Sequence, residues 1–535
     1  MRVLLFVIFM TGIAALQAQP ALVPAPQSVA PGKGEYHPQE VLIVFIDPAL
    51  GHGEEVLAAV SWFTDMMPVK ARKKARRGLV ILHNKNIKMD GYTLSVTKKQ
   101  IRIEASNAAG AFYALQTLRQ LRTDPLVWQH DGKPFQRRQL GTLPVLTIQD
   151  TAVFRWRGMH LDESRHFFGL EFVKKYLDLM ALHKMNVFHW HLTDDQGWRI
   201  EIKQYPELTR TGAWRNGSMV GRYKDNRVDS IRYGGYYTQD EIKEVVEYAR
   251  RRFINVVPEI EMPGHSLAAL ASYPEYSCTG GTFEVAKTWG GFPDVYCPGN
   301  DAALQFLKNI VDEVIPLFPF AYFHIGGDEC EKTRWKSCPK CQQRMKDKGL
   351  NTEEELQSWF VQTMETHLND KGKILVGWDE ILEGGLAPNA VVMSWRGTAG
   401  GIEAARQKHD VVMSPGKPCY FDHYQSKDST EPVAIGGYNP VEAVYAYKPV
   451  PEDLNAEEKK HILGAQGNVW TEYMPNSKQV EYMVFPRQCA LAEALWTAKP
   501  DRDYTDFVKR MQQHIVRLQM MDVRCATHIL QTQTR

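Results

Sequence analysis

The sequence predicts an α/β protein in which a (β/α)8 barrel of the TIM type follows a small α+β domain. Its 535 residues leave room for one large and one smaller domain. A hydrophobic content of 44% is sufficient for packed cores. From Phe154 onward, short apolar runs alternate with long amphipathic segments. That alternation is typical of repeated βα units built around a parallel sheet.

Eight apolar runs are predicted to be the barrel strands. They begin near residues 156, 186, 254, 322, 373, 390, 410 and 461. Amphipathic segments such as LEFVKKYLDLMALHKM and AALQFLKNIVDEVIPLF lie between many of them and predict the helices. The gaps after the fifth and sixth runs are short, so we expect one helix there to be small or irregular.

The first 18 residues have the pattern of a removable export signal. Arg2 precedes an apolar stretch that runs from Val3 to Leu16, and the small residue Ala18 stands before a polar break. We therefore expect an exported protein, located in the periplasm, at the surface or in the medium. No later stretch reads as a membrane span.

Three further segments follow the signal in the predicted organisation. Residues 19–150 contain strand-like runs such as YTLSV and IRIEA and one helical run, which together predict the α+β domain. Residues 151–500 form the predicted barrel, and residues 501–535 form a short helical tail.

The charge balance argues against a general affinity for nucleic acid or anionic membranes. Sixty-four Lys and Arg residues oppose 62 Asp and Glu residues, which leaves a formal charge of +2. One basic run, from Lys70 to Arg77, lacks interleaved aromatic residues and is best interpreted as a solvated face.

Eight cysteines in so long a chain indicate local features rather than a disulfide framework. Cys278 and Cys297 flank a glycine-rich loop, and export favours a disulfide between them. Cys338 and Cys341 form a CxxC that could be half of a zinc site. No second CxxC or CxxH pair accompanies it, so a local disulfide or free thiols are favoured there.

Acids and tryptophans cluster at the ends of the predicted strands, where barrel active sites lie. Asp328 and Glu329 stand side by side after the fourth run. Rings that stack on C–H faces and acids that accept hydroxyl protons suit a sugar. The candidates are Asp194, Asp195, His265, Asp328, Glu329, Trp378, Trp395, Tyr420, Asp422, Trp470 and Glu472, with Arg157 at the start of the first run.

The HxH pair, His189 and His191, raises the possibility of a metal site. The two-residue period of a strand directs both imidazoles into the barrel. No histidine or lysine stands at the ends of the fifth and sixth runs to complete a divalent site. We therefore expect interior histidines, with no metal or cofactor. A metal-dependent hydrolase and a catalytically silent glycan-binding barrel remain as alternatives.

Several motifs, in chain order, resemble those of glycoside hydrolase family 20, the β-N-acetylhexosaminidases. They are FRWRGMHLDESRHFF, NVFHWHLTDDQGWR, VVPEIEMPGH, HIGGDE, GWDE, SWRG, YFD and GNVWTEY. The domain before the barrel is also similar to the amino-terminal domain of that family. The resemblance implies an exo-acting, retaining and substrate-assisted glycosidase, which releases terminal β-linked GlcNAc or GalNAc.

The resemblance also implies roles for the candidates. The 2-acetamido oxygen of the substrate would attack its own anomeric carbon. Glu329 would protonate the leaving oxygen and later activate water, Asp328 would hold the acetamido N–H, and Tyr420 would bind the acetamido carbonyl. An aspartate of the Asp194/Asp195 pair would tune Glu329 through His265. The tryptophans Trp378, Trp395 and Trp470 would wall the pocket, and Arg157, Asp422 and Glu472 would bind ring hydroxyls.

Overall fold

The computed structural model describes residues 20–65, 68–74, 76–124, 126, 140–498 and 502–531. The predicted export signal lies outside these residues, as does the predicted boundary between barrel and tail at residue 500. Among the helices of the described ranges, none is long and apolar enough to cross a membrane.

The amino-terminal domain is a seven-stranded mixed sheet that carries two helices, Gly53–Phe63 and Ala108–Leu121. Burial alternates along Tyr92–Val96, so one face of this strand is covered. The side chain of Asn107 caps the second helix by accepting the Gly110 N–H. The strands are Ser28–Tyr36, Leu42–Ile46, Val69–Ala71, Gly78–His83, Tyr92–Val96, Gln100–Ala105 and Leu143–Asp150.

Eight parallel strands then close into a barrel, in which each strand pairs with its neighbours along the chain and the eighth pairs with the first. The predicted fold, a (β/α)8 barrel preceded by an α+β domain, is therefore confirmed. Barrel strands 1 to 8 are, in order, Trp156–Asp162, Val187–His191, Asn255–Glu259, Tyr322–His324, Ile374–Trp378, Val391–Ser394, Val411–Met413 and Ile462–Gly467.

The helices outside the barrel follow most strands. The connection after strand 5 holds only the 3-10 turn Asp379–Leu382, in agreement with the short gap in the sequence. The larger helices are Leu170–Leu182, Gln239–Arg250, Asp301–Val314, Pro339–Lys348, Glu353–Asp370, Ala399–Arg406, Ser477–Val484 and Arg487–Trp496. Shorter helices are Glu207–Arg210, Leu267–Ser272, Thr333–Ser337, Gly416–Cys419 and Val441–Ala446.

The long connection after strand 2 contains three short antiparallel pairs of strands. These are Thr193–Asp194 with Gly197–Trp198, Trp214–Asn216 with Arg232–Gly234, and Met219–Val220 with Arg227–Val228.

The tail contains the helices Tyr504–Met520 and His528–Gln531. Arg510 forms a buried ion pair with Glu493 of the last barrel helix at 2.6 Å. Arg517 donates to the carbonyl of Gln120 in the amino-terminal domain at 3.0 Å. The tail therefore contacts both domains.

Asp150, the last residue of the amino-terminal sheet, joins the two domains. Its Oδ2 accepts hydrogen bonds from Lys184 Nζ and from the Tyr92 hydroxyl, both at 2.7 Å. Its Oδ1 accepts from the Trp496 indole N–H at 2.9 Å. Because the Asp150 and Lys184 side chains are at most 1% exposed, each charge depends on the other.

Replacing Asp150 with Asn is expected to lower the free energy of unfolding by about 3–5 kcal/mol, because the buried Lys184 charge loses its partner. Urea denaturation measures the change. The matched control is Glu457→Gln, which breaks the exposed pair with Lys460 and should leave stability unaltered. Equal stability of both variants would contradict the role given to Asp150.

Candidate active site

A cavity of about 530 Å³ opens at the carboxyl ends of the barrel strands. Nine of the residues singled out in the sequence line it together. These are Asp194, His265, Asp328, Glu329, Trp395, Tyr420, Asp422, Trp470 and Glu472.

A strained turn after strand 4 presents the two adjacent acids. Gly326 and Gly327 have φ angles of +70° and +89°, and Glu329 itself has a φ of +45°. A Cβ atom on Gly326 would lie 1.7 Å from a carboxylate oxygen of Glu261, so a larger residue would have to displace that carboxylate as well as adopt a backbone conformation that favours glycine. A left-handed backbone at a non-glycine residue such as Glu329 is costly and is concentrated at functional sites.

His265 lies between four carboxylates. Its Nδ1 is 3.2 Å from Asp194 Oδ1 and 3.2 Å from Asp195 Oδ2. Its Nε2 is 3.6 Å from Asp328 Oδ2 and 3.7 Å from Glu329 Oε2. Burial disfavours a charged imidazole, but the charges of Asp194 and Asp328 and the hydrogen bonds to Asp194 and Asp195 together raise the pKa of His265 well above its usual value. The imidazole is therefore a cation that faces both acids of the pair.

Both aspartates of the Asp194/Asp195 pair hold His265, but in different settings. Asp194 lines the cavity, and its Oδ2 lies 3.0 Å from His191 Nε2. Asp195 Oδ1 accepts the Leu267 N–H at 2.9 Å. The two aspartates lie at the same distance from one imidazole nitrogen, so both contact His265.

Asp328 is 9% exposed, and burial raises its pKa to about 6. Its Oδ1 is buried and has no hydrogen-bond partner among the described residues. A buried acceptor that is left unpaired costs free energy, so this oxygen is suited to accept a hydrogen bond from a ligand.

The assignment of Arg157 to the substrate site is corrected by the structure. This residue stands at the amino end of strand 1, whereas barrel sites form at the carboxyl ends. Its guanidinium group, 1% exposed, donates to the carbonyls of Lys184 at 2.8 Å and Phe154 at 2.7 Å. It also donates to the Tyr113 hydroxyl of the amino-terminal domain at 2.9 Å. Arg157 therefore belongs to the domain junction.

Arg165, which the sequence reasoning missed, is the arginine in the cavity. Its Nη2 forms an ion pair with Asp194 at 2.9 Å, and its Nη1 lies 3.3 Å from Asp162 and 4.0 Å from Glu472. The sequence did contain a signal, because Arg165 is part of the DESRHFF segment that directly follows strand 1.

Asp422 and Glu472 add two more buried acids to the lining. Burial raises the pKa of both carboxyl groups. Within the described part of the chain, Asp422 Oδ1 and Glu472 Oε2 have no hydrogen-bond partner. Each is therefore suited to bind a hydroxyl group of a ligand.

Aromatic rings form one wall of the cavity. Trp395 stacks on Tyr420 with ring centroids 6.0 Å apart, and Tyr420 lies 6.4 Å from Trp470. Trp378 is only 1% exposed and lies behind Trp470 at a centroid distance of 5.8 Å. It therefore supports the wall in this structure. The Trp395 indole N–H donates to Glu380 at 2.9 Å.

Glu259 connects the barrel interior to this wall. Its carboxylate lies 2.5 Å from His191 Nδ1, 3.0 Å from His189 Nε2 and 2.9 Å from His324 Nδ1. It also accepts the Trp378 indole N–H at 2.8 Å. Both histidines of the HxH pair point into the barrel, as the strand period predicts, and both contact this glutamate.

Other lining residues come from loops and were not singled out in the sequence. Trp289 lies between Cys278 and Cys297, and its ring is 5.7 Å from that of His166. Trp289 does not follow a predicted strand, so its position in the sequence did not indicate that it lines the cavity. The remaining loop residues in the lining are Tyr223, Gly290, His423, Ile435, Gly436, Gly437 and Tyr473.

The predicted disulfide between Cys278 and Cys297 is not formed in the structure, where both are free cysteines. The sulfur of Cys278 lies 3.7 Å from that of Cys341. The sulfur of Cys297 lies 3.5 Å from that of Cys341 and 3.8 Å from that of Cys338. The loop cysteines therefore face the CxxC segment, which the sequence analysis had considered separately.

Comparisons with known proteins agree with this geometry. Residues 154–499 match the family described as "Glycosyl hydrolase family 20, catalytic domain", and residues 19–151 match its "domain 2". A beta-hexosaminidase of Porphyromonas gingivalis is 49% identical over 81% of this chain. A beta-hexosaminidase of Vibrio furnissii is 38% identical over 77% of this chain. The matches span 54% and 66% of those two relatives, so this chain corresponds to only part of their length.

A solved structure shows the same fold. It is the exo β-N-acetylglucosaminidase of Vibrio harveyi in complex with N-acetylglucosamine, with a TM-score of 0.81 and 31% identity. The superposition covers 95% of this chain and 78% of the Vibrio harveyi chain. With both domains matched in order and the acid pair at the expected strand end, this chain belongs to glycoside hydrolase family 20.

Proposed function

We propose that this chain is an exo-acting β-N-acetylhexosaminidase, which releases terminal β-linked GlcNAc or GalNAc by a retaining, substrate-assisted mechanism. The observation that carries the proposal is the turn at Asp328 and Glu329, which places two carboxylates against one cationic imidazole at the cavity. The bound N-acetylglucosamine of the Vibrio harveyi enzyme supports the class of substrate.

Glu329 is placed to act as the general acid. It lines the 530 Å³ cavity and also a neighbouring depression of about 590 Å³. Its side chain is 53% exposed, so it can exchange protons with solvent between steps. A glycosidic bond that spans the two spaces has its oxygen beside Glu329. This residue then protonates the leaving oxygen and subsequently activates water.

Asp328 is placed to orient the internal nucleophile. Its unpaired Oδ1 accepts the acetamido N–H, which directs the acetamido oxygen at the anomeric carbon. With a pKa of about 6, it is an anion at neutral pH and stabilises the positive charge of the oxazolinium intermediate. Tyr420, in the same lining, supplies a hydroxyl group to the acetamido carbonyl.

His265 couples the acid pair to the rest of the site. As a cation 3.6 Å from Asp328 and 3.7 Å from Glu329, it offsets the repulsion between their charges. Asp194 and Asp195 hold the opposite side of the ring and fix its orientation. The two acids therefore have distinct functions, since Glu329 donates the proton and Asp328 stabilises the positive charge of the intermediate.

Specificity for a chain end is supported by the charged part of the lining. Arg165, Asp422 and Glu472 offer one donor group and two unpaired acceptors to the hydroxyl groups of a sugar ring. Ring hydroxyls are free for such bonds on a terminal residue, whereas an internal residue has one of them substituted.

Export is part of the proposal and is supported by the sequence alone. Arg2 and the apolar stretch that follows it have the order of a removable signal. An exported enzyme of this class would meet glycans outside the cytoplasm.

The assay that tests the function is hydrolysis of a chromogenic N-acetylglucosaminide and of a natural N-acetylglucosamine disaccharide by the full chain. Glu329→Gln should lower kcat on the disaccharide about 10²- to 10⁴-fold, because its poor leaving group needs a proton. Glu457→Gln, at an exposed position outside both spaces, is the matched control and should retain full activity. Undiminished turnover of the disaccharide by Glu329→Gln would contradict the role of Glu329 as general acid.

Asp328→Asn should reduce kcat/KM on N-acetylglucosaminides by about 100-fold, because the acetamido group loses its fixed orientation. Glucosides that lack the acetamido group serve as the comparison and should be poor substrates of the unaltered protein. NMR of the first-formed product should show the β-anomer. Equal activity on glucosides, or an α-anomer as first product, would contradict substrate assistance.

The pH profile of kcat/KM should have an acid limb near pH 6. The raised pKa of Asp328 means that this group gains a proton as the pH falls through about 6, and the neutral form no longer stabilises positive charge. Activity should then fall about tenfold per pH unit below that point. Asp328→Asn should lose this limb and Glu457→Gln should keep it. An identical limb in Asp328→Asn would assign the titration to another group.

A further inference from the structure

Four cysteines converge at one side of the active-site cavity. Cys278 and Cys297 bracket the loop that carries Trp289, and Cys338 and Cys341 stand at the start of the helix Pro339–Lys348. One ligand atom from each lies within 4.8 Å of those from the other three. We call these residues the four-cysteine cluster.

The spacing of the sulfurs is that of a metal site. A tetrahedral zinc ion holds thiolate sulfurs about 2.3 Å from the metal, which places them about 3.8 Å from one another. The measured separations are 3.5, 3.7 and 3.8 Å, and they connect all four residues. A disulfide instead holds two sulfurs about 2.05 Å apart and leaves the other pair independent.

We propose that one structural Zn²⁺ ion is bound by four thiolates, those of Cys278, Cys297, Cys338 and Cys341. No residue of the four-cysteine cluster lines the 530 Å³ cavity, and closed four-thiolate sites are structural. The ion therefore takes no part in the chemistry proposed for Glu329.

The immediate surroundings suit a closed site. Apolar side chains of Val295, Trp335 and Met345 pack around the cysteines and limit access of water. A Cβ atom on Gly299 would lie 2.2 Å from the backbone of Lys340, so glycine lets the loop approach the CxxC turn.

Local charge favours thiolates at this point. The CxxC lies at the amino end of a helix, where the backbone dipole stabilises negative charge. Arg334, paired with Asp294 at 2.8 Å, adds a nearby positive charge. A site of four thiolates and one Zn²⁺ carries a net charge of −2, which the helix dipole partly offsets.

The proposed ion lies between two segments that help to form the active site. Trp289 of the bracketed loop lines the cavity, and Ala286 of the same loop donates to the carbonyl of Asp195 at 3.0 Å. Cys330, directly after Glu329, packs in the same apolar group as the four-cysteine cluster. Zinc would thus join the loop that forms one wall of the cavity to the segment that follows the acid.

The zinc content of the full chain, purified without chelators or a histidine tag, tests the proposal. Elemental analysis should find about one zinc per chain. Replacement by Co²⁺ should give the intense visible bands of a tetrahedral cobalt thiolate. Cys341→Ser and Cys278→Ser should each lose most of the zinc. Cys525→Ser, which removes a buried thiol outside the four-cysteine cluster, is the matched control and should retain it.

A measurement on the unaltered chain keeps the proposal falsifiable if the variants fail to fold. Mass spectrometry of the denatured, unreduced chain and thiol titration before and after removal of metal count the free thiols. Four protected thiols that appear only after zinc is removed support the site. Two disulfides, another metal in stoichiometric amount, or four titratable thiols without zinc would each overturn it. None of these readouts depends on hydrolase activity.

Discussion

The buried cation of His265 stabilises the adjacent carboxylates of Asp328 and Glu329. His265 is protonated because Asp194 and Asp195 flank one ring nitrogen, and the other nitrogen then faces Asp328 and Glu329. Without that positive charge, two adjacent carboxylates at a poorly solvated turn would repel each other and one would take up a proton. Asp194 depends in turn on Arg165, whose charge at 2.9 Å lowers the pKa of Asp194 and keeps that carboxylate ionised.

In the barrel interior, contacts between buried charged and polar groups also hold the aromatic wall in place. Glu259 gathers His189, His191 and His324 around one carboxylate, and its remaining contact fixes the indole of Trp378. Buried polar groups of this kind are stable when their partners are supplied, and they then impose one geometry on what they touch. The HxH pair is thus explained as support for the wall on which a sugar would pack.

The strands could be predicted because parallel strands are buried on both faces and appear as continuous apolar runs. The acids at their ends followed from the topology. Arg165 could have been chosen from its place after the carboxyl end of strand 1, whereas Arg157 stands near the amino end, away from where barrel sites form. The sequence did not predict the four-cysteine cluster, because of the spacing of its residues in the chain. Its CxxC is completed by Cys278 and Cys297, whose wide spacing in the chain differs from common zinc motifs.

The close contact at Gly326 has a consequence for engineering this turn. Since a β-carbon there would have to displace the Glu261 carboxylate, a substitution at position 326 also disturbs position 261. A variant library that aims to move Glu329 must therefore vary positions 326 and 261 together.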